Sequence, residues 1–264
     1  MLSFGRGGSP ARKNEWATSS ICGPFLLLLV VFACGCTHHP KSSDGSIVFL
    51  LPGVAGNEGY SHLVSAIESS THREVQTVSW GAPPPLFMLN FSNRGIHDDA
   101  EAKLAKVIED RHEKFPSATI DLIGHSAGCG VILGAMKRLP QDLRPNTIVL
   151  LAPSVSPTFD LAPALSRIDT LHVFSSPRDT FFLNWRTSHF GTYDNVKTRA
   201  AGNAGFDLAA LPADLRAKVV THPYEEAWKD LDNDGGHFGA LADPFAQKII
   251  APLFISATVP ARRN

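Results

Sequence analysis

Short apolar runs alternate with stretches of helical periodicity along most of this chain, and that alternation sets the expected fold class. Residues 47–51, Ile47-Val48-Phe49-Leu50-Leu51, are continuously apolar, as a strand buried on both faces requires. Leu63, Val64 and Ile67 then mark a helix. Residues 74–80 read as a second strand, which Gly81-Ala82-Pro83-Pro84-Pro85 stops and turns into a long loop. Between His97 and Phe115 the apolar positions Ala100, Leu104, Val107, Ile108 and Phe115 recur at helical spacing. Residues 118–123 predict another strand, followed by a helix with Cys129, Ile132, Leu133 and Met136 along one stripe. Further strands are expected at 147–152, 170–174 and 219–222, before a last helix that carries Phe245 and Ile249 inward. The pattern predicts an α/β fold: a mostly parallel sheet of about six strands flanked by helices on both faces.

The start of the chain follows a different pattern. Arg6, Arg12 and Lys13 precede an apolar stretch from Ile21 to Ala33, and small residues and cysteines come next. This is the layout of a secretory signal over residues 1–35, with an apolar centre short for a membrane span. Ala33-Cys34-Gly35-Cys36 resembles a bacterial lipoprotein processing site, with Cys36 as the lipidated residue and Cys34 as the fallback. An ordinary cleaved signal is the next reading, and a retained short anchor follows it. The expectation is export, with membrane association through the N-terminal lipid anchor. Residues 36–45 are polar and rich in turn formers, as a tether is, and residues 46–258 make up the domain. Only Cys129 of the four cysteines falls inside that domain, so no disulfide framework is expected. Lys and Arg number 24 against 25 Asp and Glu. That balance argues against a nucleic-acid partner, whose phosphates call for a clustered basic surface.

The chemistry begins at Gly124-His125-Ser126-Ala127-Gly128, a G-x-S-x-G between an apolar strand and a helix. A sharp strand-to-helix turn strains the backbone of its serine, and residues two before and two after must lack side chains so that neighbouring segments pass close by. On this motif and its context, the chain from about residue 46 to 254 resembles the α/β-hydrolases. The resemblance implies a serine nucleophile, Ser126, followed in chain order by an acid and a histidine.

A serine hydroxyl needs a base, and the base needs a partner that fixes its tautomer. Among the later histidines, His172 lies in a predicted strand, His189 among aromatic loop residues, and His222 at a strand end. His237, in Asp234-Gly235-Gly236-His237-Phe238-Gly239, sits in a glycine-rich loop that resembles the family's histidine loop and is favoured over His222. Asp179, just past the strand at 170–174, is the expected acid; an aspartate that merely caps a helix starting at Thr180 is the alternative. Asp160, Asp194 and Asp207 follow no strand so directly. The resemblance also implies an oxyanion hole made by the Ala127 N–H and a donor from Leu51-Pro52-Gly53-Val54-Ala55-Gly56, with Val54 the expected donor and Gly53 the alternative.

Other signals carry less. Asp230-Leu231-Asp232-Asn233-Asp234-Gly235 opens like a calcium loop, but its twelfth position is Leu241, where a bidentate carboxylate is needed. Trp185, His189, Phe190, Tyr193 and Phe206 fall in a long segment expected to cover the pocket, with Phe87, Met88, Leu89 and Phe91 as an opposing apolar wall. The expected reaction is hydrolysis of a small-molecule or lipid ester, with no metal and no cofactor. An acyltransferase with the same triad, or an inactive lipid-tethered binding protein, are the rivals.

Overall fold

A computed structural model describes residues 44–83 and 85–255. The expected signal, Cys34, Cys36, nearly all of the tether and the end of the expected domain lie outside the described residues. Six strands, β1 (Ile47–Leu51), β2 (Glu74–Thr77), β3 (Ile120–His125), β4 (Thr147–Leu151), β5 (Thr170–Ser175) and β6 (Val219–Pro223), pair in parallel in the order 2-1-3-4-5-6. Together with the turn after β3, this is the α/β-hydrolase arrangement expected from the sequence.

Side chains that alternate along the strands divide the interior into two cores. Ile47, Phe49 and Leu51 of β1, with Leu122, Ile148 and Leu150, pack under α2 (Arg94–Lys114) and α3 (Ala127–Ala135). Val48 and Leu50, with Ile123, Val149 and Leu151, face α1 (Ser61–Thr71) and the C-terminal segment. Helices therefore cover both faces. Every residue of α3 is buried, so the single apolar stripe expected there is a helix enclosed all round. Its glycines make this possible: a Cβ at Gly130 would sit 2.3 Å from the Tyr193 ring, and one at Gly134 would sit 2.2 Å from the Glu101 carboxyl.

Two expected elements differ. The second strand ends at Thr77, short of residue 80, because Trp80 Nε1 donates to the Pro52 carbonyl at 2.8 Å and draws the chain across the β1 loop. The last helix is three successive turns: an α turn over Asp243–Phe245, a π turn over Ala246–Ile250 and a 3₁₀ turn over Ala251–Phe254. Phe245 is buried as expected. The wider π turn brings Ile250 into the core and leaves Ile249 only partly covered.

From β1 the chain runs through α1 to β2 on one side, and from β3 through α3 to β4 on the other. The loops leaving β1 and β3 therefore diverge over opposite faces, opening a crevice beyond their carboxyl ends. Open α/β sheets bind ligands at this kind of switch point.

Candidate active site

Ser126 is the single residue between β3 and α3, at φ 55° and ψ −122°, a region sparsely populated by residues with a side chain. Three backbone hydrogen bonds hold it there. Its N–H donates to the Leu151 carbonyl at 2.9 Å, and its carbonyl accepts from Ser154 at 3.1 Å and Cys129 at 3.2 Å. The flanking glycines meet the steric demand read from the sequence. A Cβ at Gly128 would lie 2.3 Å from the Leu51 oxygen and 2.5 Å from that of Pro52; one at Gly124 would lie 3.0 Å from the Cys129 backbone.

Asp179 and His237, 58 positions apart in the chain, are in direct contact, with Asp179 Oδ2 2.5 Å from His237 Nδ1. A carboxylate accepts, so the proton sits on Nδ1 and Nε2 is left as the basic nitrogen. Both side chains are buried. Asp179 Oδ1 meanwhile accepts from the N–H groups of Phe182 and Leu183, each at 3.2 Å. The two readings of this aspartate thus coexist, one oxygen capping the next turn and the other facing the imidazole. Asn203, also buried, donates to the Asp179 carbonyl at 3.1 Å and braces the loop.

Ser126 and His237 line one cavity of about 140 Å³. The serine hydroxyl has no hydrogen-bond partner among the described residues, and such contacts often close only around a substrate. The competing histidines are engaged elsewhere. His172 Nδ1 meets His222 Nε2 at 3.0 Å, and His189 Nδ1 meets the Trp185 carbonyl at 2.7 Å. Cys129 is buried in α3 with its thiol directed at the Leu151 carbonyl, and burial raises that thiol well above its ordinary range.

The loop after β1 separates the two oxyanion candidates. Gly53 N–H donates to Tyr60 Oη at 2.8 Å and is already committed. The N–H groups of Val54 and Ala127 have no acceptor among the described residues. Asn90, fully buried, donates to the Val54 carbonyl at 3.1 Å and accepts from Ala82 N–H at 2.7 Å, which ties this loop to the segment after β2.

His125 joins the parts. Its Nε2 lies 2.9 Å from the His237 carbonyl oxygen, which can only accept, so Nε2 carries the proton and Nδ1 is an acceptor. Tyr60 Oη, 2.8 Å from Nδ1, donates to it while accepting from Gly53. Burial first, and the neighbouring His237 second, push the His125 imidazole down to about 3, keeping it neutral. A continuous chain of hydrogen bonds thus runs from the β1 loop, through Tyr60 and His125, to the backbone of His237.

The walls depart in detail from expectation. Phe87 and Phe91 line the cavity, whereas Met88 and Leu89 are exposed. From the segment after Asp179 it is Phe182 and Arg186 that reach the cavity. Trp185 and Phe190 are exposed outside it, and Tyr193 is buried against Glu101, its hydroxyl 3.0 Å from that carboxylate. The turns Phe181–Arg186 and Thr187–Phe190 give this segment structure of its own. Tyr60, Asn90 and Arg186 were not singled out in the sequence. Asn90 alone left a local signal there, as a polar residue inside an apolar run. No cluster of three or more metal-ligating side chains occurs among the described residues.

No protein-family model and no curated protein sequence matches the chain. Among solved structures it is similar to the ydeN gene product of B. subtilis at 16% identity, covering 80% of this chain and 99% of that one, with a TM-score of 0.49. It is similar to a carboxylesterase from Mesorhizobium loti at 17% identity, covering 83% and 91%, with a TM-score of 0.49. A Pyrobaculum calidifontis esterase is similar at 14% identity, covering 79% and 74%, with a TM-score of 0.46.

Proposed function

We propose that this chain is a serine hydrolase that cleaves carboxylic esters through an acyl-enzyme. The observation that carries this reading is the contact of Asp179 with His237 Nδ1 at 2.5 Å, on the wall of the same cavity that Ser126 lines from its strained turn.

In this reading Ser126 Oγ attacks the ester carbonyl and passes its proton to His237 Nε2. Asp179 holds the ring and stabilises the imidazolium. The oxygen that becomes negative is met by the N–H groups of Ala127 and Val54, which need no reorganisation at the moment of reaction. Collapse of the tetrahedral intermediate expels the alcohol, protonated from His237, and leaves the acyl group on Ser126. Water then repeats the sequence to release the acid. Export and a lipid anchor at Cys36 belong to the proposal on the sequence of residues 1–36 alone.

A panel of 4-nitrophenyl esters of graded acyl length tests the reading. Phe87, Phe91, Phe182 and Phe238 wall a cavity of about 140 Å³, so turnover is expected to be highest for short chains of about two to six carbons. Ser126→Ala and His237→Ala should each lower kcat by roughly 10³-fold or more. Product analysis with an added alcohol separates hydrolysis from acyl transfer. A folded parent protein with no turnover of any ester above background would end the proposal.

A further inference from the structure

Arg186 presents a cation to the cavity without a counter-ion. Its guanidinium sits 4.4 Å from the centre of the Phe91 ring, and Nη2 donates to Ser154 Oγ at 3.1 Å. Guanidinium has five donors, and no other acceptor for this one occurs among the described residues. It forms no ion pair with any described carboxylate. Asp179 lies near enough to feel the charge, yet its two oxygens are committed to His237 and to the Phe182 and Leu183 N–H groups. Glu58, the other formally charged residue on the cavity wall, is exposed and unpaired with it.

A half-buried charge with no counter-ion carries a desolvation cost that an anionic ligand would offset. Burial does pull this guanidinium below its ordinary value. The rest of the wall is largely aromatic, and the ring of Phe91 packs on the guanidinium without using its donors. We infer that Arg186 is a specificity residue that binds an anionic oxyacid group, carboxylate or phosphate, on the substrate, so that the preferred ester carries a negative charge beyond its scissile bond. The inference rests on the hydrolase reading and adds the substrate class to it.

Two matched pairs of substrates test it. The first pair is the 4-nitrophenyl monoester of adipic acid and its carboxamide isostere, corrected for spontaneous hydrolysis. The second is the butyrate ester of glycerol 3-phosphate and that of glycerol, followed by butyrate release. The parent protein should favour the charged member of at least one pair by roughly 10- to 100-fold in kcat/KM, the range of a charge-assisted hydrogen bond. The pair that shows the preference tells an acyl-side carboxylate from an alcohol-side phosphate. Arg186→Met should abolish that preference while changing the neutral member by less than about 3-fold, and Arg186→Lys should retain part of it. Equal rates on both members of both pairs in the parent protein would overturn the inference, whether or not the variants fold. So would an equal loss on charged and neutral members in Arg186→Met. Failure of the hydrolase reading looks different: neither member of either pair is turned over, and the folded protein takes up no fluorophosphonate.

Discussion

Tyr60 shows what a single residue contributes beyond the three proposed to react. It was not singled out in the sequence, where nothing local marks its hydroxyl. In the fold that hydroxyl is shared between Gly53 N–H and His125 Nδ1, and His125 passes the restraint to the His237 carbonyl. Tyr60→Phe keeps the ring and leaves the Gly53 N–H and the buried His125 Nδ1 unmatched. The expected result is a fall in kcat of roughly 10-fold or more with KM changed by less than about 3-fold, because geometry in the transition state is lost while substrate contacts remain. A merely structural role would lower the denaturation midpoint and leave kcat of the folded enzyme unchanged. Ser126 is the opposite case. Glycine at 124 and 128 announced its turn, since a Cβ at either position would meet backbone, that of Cys129 at the first and that of Leu51 and Pro52 at the second.

Strands and helices were legible where periodicity and burial agree. β1, β3 and β4 are buried throughout and mostly apolar, because helices press on both their faces. The end of β2 and the π turn near the C-terminus were not legible. They depend on partners distant in sequence: the Pro52 carbonyl for Trp80, and the shape of the second core for Ile250. Asp121 also stands outside the apolar pattern of β3. It is fully buried, paired with Arg73 at 2.5 Å and accepting from Thr147 N–H at 2.8 Å, while Arg73 also reaches the Phe254 carbonyl at 3.2 Å. This one cluster joins β3, β4 and the C-terminal segment. Arg73→Leu strands the carboxylate and should cost about 3–5 kcal/mol of stability in urea unfolding. Lys106→Ala, at an exposed i,i+4 pair with Asp110, should leave the unfolding midpoint nearly unchanged. Equal shifts for the two variants would contradict the assignment of Asp121 and Arg73 as the joint between these elements.

The molecule as a whole brings together groups that no local pattern relates. The serine follows β3, the acid follows β5, the histidine lies beyond β6, and the free amide of Val54 follows β1. Parallel strands make this possible, because every carboxyl end points to one edge and the reversal between β1 and β3 opens room there. Chain order and loop character put Asp179 and His237 forward from the sequence, and in the fold the two side chains are in contact. The choice of cavity wall was not available in that way, because which of several aromatic residues turns inward depends on the turn each occupies. Phe182 and Arg186, four apart, share the face of one turn that meets the cavity, and Trp185 beside them does not. The proposed chemistry turns on the reactivity of the Ser126 hydroxyl, which intact-mass measurement with peptide mapping after fluorophosphonate treatment reads directly. A single phosphonyl adduct on Ser126 is predicted, absent from Ser126→Ala and forming roughly 10³-fold more slowly in His237→Ala. An adduct on any other residue, or none on the folded parent protein, would contradict it.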